Sequence, residues 1–464
     1  MSTLDAPAHT SAPGKITKVT RAGAIGNFIE FYDFTLYGFF AVTIATLFFP
    51  QFDSVAALLS TFALFGVAFV IRPIGAVVFG HVGDRWGRKR ALMIAVLLMS
   101  GATAAIGVLP TYAAVGVAAP TLLLVCRLLQ GFSAGGEQSG AFVLVVEQSA
   151  IGERGKNASK LVVSIVAGVC CAALVVLIVS SLTTDQQMAQ WGWRLPFLLS
   201  APLGVLGFYL RMSIEDSHDF TAARANSEPG TSAPLAQAFR TVRRQMCTLL
   251  GWVAMQSVAG YILVGFMMSY LVKFQNYPMS TALTIVVVGH VVGIGLIIVI
   301  GRWADRIQRK TLAVSLAAAL ATAVVPAFIL LRYGVVAATV GISLYATTAY
   351  ALLIVSALAV VELFPVEVRY SASALPFQIS YAVFGGAAPF VSTWLVAEVS
   401  TMAPAYALVL FGILGIFVAA IAIPNLPHRP AATDTAPSRD GADVATVDRR
   451  PGAGTTIHAN QRNF

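Results

Sequence analysis

Runs of about 20 apolar residues, separated by short polar stretches, recur along almost the whole chain, and that is the length a helix needs to cross the hydrocarbon core of a bilayer. Twelve such runs begin near residues 22, 55, 91, 119, 161, 194, 245, 280, 311, 335, 372 and 404. They predict an all-α polytopic membrane protein with twelve transmembrane helices. Polar composition interrupts the series in three places. Residues 1–21 read as an amino-terminal arm, because they contain neither the apolar stretch nor the small-residue cleavage site of a signal peptide. Residues 212–244, polar and basic, read as a linker between one six-helix bundle at 22–211 and a second at 245–424. Residues 425–464, rich in Pro, Ala, Thr, Asp and Arg, read as a disordered tail.

Composition agrees with the pattern: 57% of residues are hydrophobic and 11% charged, with a mean hydropathy of +0.79. The basic residues add an orientation. With the amino end in the cytoplasm, 25 of the 30 Lys and Arg fall in the arm, the tail and the loops on that side. Only Arg194, Lys273 and Arg332 lie on the other side, and Arg72 and Arg127 lie within spans. The positive-inside rule therefore predicts both termini in the cytoplasm, in a plasma or inner membrane. The net charge of +9 is then a topology signal, and no nucleic-acid partner is expected. Cys126, Cys170, Cys171 and Cys247 sit in or beside spans without metal-ligand spacing, so they read as packing residues, with no metal site and no cofactor.

The chain also repeats itself. GHVGDRWGRKR at 80–90 follows the second span, and GRWADRIQRK at 301–310 follows the eighth. Without gaps, Gly80, Asp84, Arg85, Arg88 and Lys89 fall on Gly301, Asp305, Arg306, Arg309 and Lys310. VVEQSAIGER at 145–154 matches VVELFPVEVR at 360–369 in the same way, setting Glu147 over Glu362 and Arg154 over Arg369. The offsets, 221 and 215, nearly agree, so a six-span unit is used twice. Tandem halves are the design of transporters that rock one bundle against the other around a site at the membrane midplane.

These loops resemble the signature of the major facilitator superfamily. EFYDFTLYG (30–38), RPIG (72–75), RLLQGFSAGGE (127–137), WGWRLPF (191–197) and ELFPVEVRYSAS (362–373) are together similar to its metabolite:proton symporter branch. The sequence departs from that pattern at Gln308, Gln138, Lys156 and Asn157. The resemblance implies a monomeric secondary transporter working by alternating access. It also implies proton transfer for an arginine at the position of Arg127, and for Asp84 a gate contact with a basic group such as Arg154 or with a helix amino end.

Two carboxylates in the first span need explaining, since an acidic residue at the centre of a membrane helix costs about 2.5 to 3.5 kcal/mol to insert. At 3.6 residues per turn, Asn27, Glu30, Asp33 and Tyr37 share one face. Glu30, Asp33, Arg127 and Glu137 are the expected proton-coupling cluster, in which desolvation raises a carboxyl pKa and an adjacent arginine lowers it. Interhelical hydrogen bonding alone is the competing explanation. Four glycines on the fourth span, at 131, 135, 136 and 140, allow a close neighbour.

The expected gate comprises Gly80, Asp84, Arg85, Arg88, Glu147, Arg154, Asp305, Arg306, Glu362 and Arg369, together with Arg72, which reads as snorkelling to the inner surface. The expected substrate contacts are Asn27, Tyr37 and Arg127 in the first half and Gln256, Tyr261, Tyr345, Gln378 and Tyr381 in the second. One clearly mid-membrane cation suits a small mono-anionic organic acid or a zwitterionic metabolite or osmolyte better than a tricarboxylate, and import by proton symport is the expected function. A proton-driven exporter and an uncoupled facilitator are the rival transport readings. An enzyme is disfavoured, because G-x-S-x-G, H-E-x-x-H and a phosphate-cradling loop are missing from the sequence.

Overall fold

The computed structural model describes residues 13–86, 88–150, 152–212, 242–365 and 369–424, and all regular structure among them is helical. Ten helices are long and apolar enough to cross a membrane. They are α2 (Ser54–Phe79), α3 (Arg90–Val108), α5 (Arg154–Leu182), α6 (Met188–Leu210), α7 (Arg243–Phe274), α8 (Met279–Ala304), α9 (Arg309–Leu330), α10 (Val335–Glu362), α11 (Ala372–Glu398) and α12 (Ala403–Ala422). The span α1 is a bent pair, Gly23–Phe39 and Ala41–Phe48, at 57°. The shorter apolar helix α4 (Ala118–Ser133) continues through a 3-10 turn, Ala134–Gly136, into Glu137–Gln148.

These twelve elements occupy the twelve expected positions. α5 and α6 start earlier than their apolar runs, at Arg154 and Met188, because backbone hydrogen bonding continues into polar residues that hydropathy leaves out. Helix also begins at Pro13, inside the stretch expected to be an arm. Most of the linker and the whole tail lie outside the described residues.

Burial sorts the helices. In their most apolar windows α7 is 83% and α10 89% buried, against 28% for α12, so α7 and α10 lie inside the bundle. α12 instead presents Leu410 and Ile421 outward, as a lipid-facing helix does. α5 runs along both α1 and α8, α1 meets α7 at Ile262–Phe266, and α2 meets α11. Those last contacts, with α5 against α8, form the seam between the two six-helix halves.

Among the described glycines, the closest approach to a neighbouring helix is within the first half, between α2 and α4. A Cβ placed on Gly131 would lie 1.8 Å from the Ala68 carbonyl oxygen, and one on Gly75 would lie 1.9 Å from that of Phe132. Of the four glycines expected to admit a neighbour, Gly131 and Gly135 admit α2, at the Ala68 and Arg72 carbonyl oxygens. Helix α7 contains two π-type turns, Ile262–Phe266 and Tyr270–Phe274, and α11 contains one at Tyr381–Gly385. Such turns widen the helix locally and are frequent at functional sites.

Candidate functional site

The two acids of α1, which helical spacing sets on one face, meet different neighbours. Glu30, 2% exposed, faces α2, where Arg72 Nη1 lies 3.6 Å from its Oε1. Asp33 is fully buried and turned further round the helix, where it accepts from the Ser100 hydroxyl of α3 at 3.1 Å and from the Ser200 hydroxyl of α6. An α-helix turns 100° per residue, so three residues leave a 60° offset, and close packing converts that offset into different neighbours.

Arg72 is also corrected. It is 1% exposed and does not snorkel to a surface. α2 breaks at Ile71, and Arg72 opens the segment that follows. Its guanidinium carbon stands 4.4 Å from the Phe34 ring centre, 4.3 Å from that of Phe69 and 6.0 Å from that of Tyr381. Contacts of this kind contribute about 0.5 to 2 kcal/mol each.

Arg127 lies at the level of Tyr37, whose ring centre is 4.1 Å from its guanidinium carbon. Its Nη1 donates to Gln130 Oε1 at 2.8 Å and its Nη2 to the Phe65 carbonyl at 3.3 Å. Gln130 in turn donates to Thr103 of α3 at 2.7 Å. Arg127 thus ties α4 to α2 and, through Gln130, to α3. Tyr37 donates to the Thr61 carbonyl at 3.0 Å. Asn27 is fully buried, and its amide has no hydrogen-bond partner. The side chain of Glu137 lies outside the described residues.

The second half brings aromatic rings to the same place. Tyr261 packs edge-on against Phe69 at 4.7 Å and against Tyr381 at 5.4 Å. The Tyr381 hydroxyl donates to Gln256 Oε1 at 3.4 Å. Gln378 crosses the seam, donating from Nε2 to the Gly135 carbonyl, while its Oε1 has no partner. Tyr345 is taken up inside its own half, donating to the Ala259 carbonyl at 2.7 Å. Sequence reading missed Phe34 and Phe69, because aromatic residues in an apolar run carry no mark of their inward position.

Of the expected gate residues, Glu147, Arg154, Asp305, Glu362 and Arg369 gather at one end of the molecule. Asp305, 7% exposed, accepts from the backbone N–H groups of Gly155 at 2.7 Å and Lys156 at 2.8 Å, and so caps α5 from the other half. Burial pushes its carboxyl pKa up, only partly countered by those two donors. Arg369 Nη1 reaches Glu147 Oε1 at 2.6 Å. Glu362 takes Arg309 at 2.8 Å and Arg154 at 3.8 Å, and Arg309 is a member that sequence reading left out of the site. Arg85 and Arg306 are exposed. Contacts of Gly80, Asp84 and Arg88 lie outside the described residues. At the opposite end Lys273 donates to the Ser54 carbonyl, so contacts between the halves bridge both ends.

Residues 19–238 match the family described as "Sugar (and other) transporter". The chain is 34% identical over 430 residues to the proline/betaine transporter of Salmonella typhimurium, covering 90% of this chain and 85% of that protein. It is 35% identical over 416 residues to the glycine betaine/proline/ectoine/pipecolic acid transporter of Dickeya dadantii, covering 87% and 82%. Among solved structures, the D-xylose-proton symporter superposes with a TM-score of 0.66 at 17% identity, covering 89% of this chain and 98% of that one. A partially occluded inward-open conformation of the xylose transporter from E. coli gives 0.68 at 17% identity, covering 88% and 96%. That structural likeness speaks for the fold. The sequence relatives are transporters and not enzymes, and they cover 87 to 90% of the chain. On those grounds the chain belongs to the major facilitator superfamily, in the family that holds the proline/betaine transporters.

Proposed function

We propose that this transporter imports a compact zwitterionic osmolyte of the proline or betaine kind by proton symport, through alternating access. The observation that carries the reading is the buried Glu30–Arg72 pair at the seam, enclosed by Phe34 and Phe69 of one half and Tyr381 of the other. Its sequence relatives are named for proline and betaine, small molecules that carry one carboxylate and one cationic nitrogen. Arginine, carboxylates and ring faces offer complementary partners to both ends.

Proton coupling falls to Glu30 and Asp33, with Arg127 and Glu137 as members of the same cluster. Asn27, Tyr37, Gln256, Tyr261, Gln378 and Tyr381 complete the substrate surroundings, and Tyr345, bonded to the Ala259 carbonyl, supports them from behind. The basic end faces the cytoplasm of a plasma or inner membrane. There Asp305, Glu147, Arg369, Glu362, Arg154 and Arg306 hold the cytoplasmic gate, with Gly80, Asp84, Arg85 and Arg88 as its first-half counterpart. The protein acts as a monomer on protons and a small solute.

The test is substrate-induced proton movement in proteoliposomes with proline, betaine, 2-oxoglutarate, citrate and shikimate. Proline or betaine should trigger proton entry, and Asp33→Asn or Glu30→Gln should abolish it while substrate exchange continues. Uptake without proton flux, unchanged in both variants, overturns the symport reading.

A further inference from the structure

Among the described residues, two arginines of the first half are buried, and their hydrogen-bond inventories differ. Both terminal nitrogens of Arg127 are donors to protein acceptors, Gln130 and Phe65. Arg72 is equally buried, at 1% exposure, yet its Nε and Nη2 have no hydrogen-bond partner. Only its Nη1 is turned to Glu30, at 3.6 Å, which is an ion-pair distance and longer than a hydrogen bond.

The geometry of guanidinium makes this pattern informative. Nε–H and the Nη2–H beside it lie along one edge of the plane and point the same way. Two parallel donors on one edge match the two oxygens of a carboxylate. A buried cationic edge left without acceptors is unfavourable, so it points to an acceptor that arrives from outside the protein. The rings stacked on Arg72 hold the plane of the fork. Close by, Gln378 Oε1 has no partner, and Gln378 is joined to Gly135, where an added Cβ would lie 2.2 Å from the Arg72 carbonyl oxygen.

We infer that Arg72 is the carboxylate anchor of the transported solute, binding it side-on through Nε and Nη2. Resting on the osmolyte reading above, the inference assigns the carboxylate end to Arg72, the arginine that sequence analysis placed in the gate. Glu30, Gln378 Oε1 and the Tyr261 and Tyr381 rings are left for the cationic end, which suits secondary and methylated ammonium groups. Arg127 keeps its role of tying α4 to its neighbours.

The experiment measures exchange of labelled proline and labelled glycine betaine in proteoliposomes, competed by each carboxylate and by its carboxamide. Wild type should prefer the carboxylate by at least about 100-fold, as sites built to hydrogen-bond a polar group do. Arg72→Lys keeps the charge and loses the fork, so its preference should fall to within about tenfold, mainly through KM. Where a lone buried charge impairs folding, the double variant Glu30→Gln with Arg72→Gln removes both members and spares that penalty. It too should lose the preference. A structural Arg72 would change yield or maximal rate and leave the preference intact, so a retained preference in either variant overturns the inference alone. A wild type that exchanges the carboxylate and carboxamide equally overturns it as well. Wild type that exchanges neither proline nor betaine overturns the osmolyte reading, and the anchor with it.

Discussion

Replacing Gly131 by alanine tests whether the α2–α4 contact sets the geometry of the site. The new Cβ would lie 1.8 Å from the Ala68 carbonyl oxygen and 2.7 Å from the Ile71 side chain, both closer than the 3.0 Å limit of real Cβ contacts. The nearer atom is backbone and cannot rotate away, so the helices must separate by about 1 Å. Overpacking of this kind costs about 3 kcal/mol. Alanine regains up to about 1 kcal/mol through its helix propensity, which leaves a net loss of about 2 kcal/mol. The separation would also stretch the Arg127–Phe65 bond, already 3.3 Å, and displace Arg72. Thermal unfolding in detergent, read beside solute uptake, measures both effects. Gly101→Ala and Gly295→Ala are the controls, since nothing lies within 4 Å of a Cβ at either position. They should be neutral or slightly stabilising. If Gly131→Ala unfolds with the controls and transports normally, close glycine packing does not position this site.

Reversing Glu147 to Arg should weaken the basic end by about 1 kcal/mol, because the pair with Arg369 is partly exposed and screened. Distances between spin labels on the ends of α5 and α8 should lengthen, and adding Arg369→Glu should restore them. An unrepaired double variant would refute the pairing. Tyr345→Phe removes one buried hydrogen bond to the Ala259 carbonyl and should lower unfolding stability by about 1 kcal/mol, with the KM of exchange unchanged. A large change in KM would put Tyr345 in contact with the solute.

Hydrophobic runs located all twelve helices, because a lipid-crossing segment must be both apolar and about 20 residues long. The repeated loops likewise marked Glu147, Asp305, Glu362 and Arg369 as counterparts, and the structure brings them to one end. Periodicity was a poorer guide to contacts. It set Asn27, Glu30, Asp33 and Tyr37 in one stripe, whereas Glu30 meets Arg72 and Asp33 meets Ser100 and Ser200. It also left Arg72 near a surface, where a charge in an apolar run belongs when no partner is known.

The sequence by itself determined the class, the placement of the helices, the duplication and the family. Each depends on local composition or on likeness along the chain. Tertiary structure decided which arginine keeps a free hydrogen-bonding edge, which aromatic rings face the seam, and which helix end Asp305 caps. Those outcomes depend on which residues from distant spans meet, and that is set by how α2, α4, α7 and α11 pack. Hydropathy treats an inward ring and a lipid-facing ring alike, so only packing separates Phe69, against Arg72, from Phe417, exposed on α12.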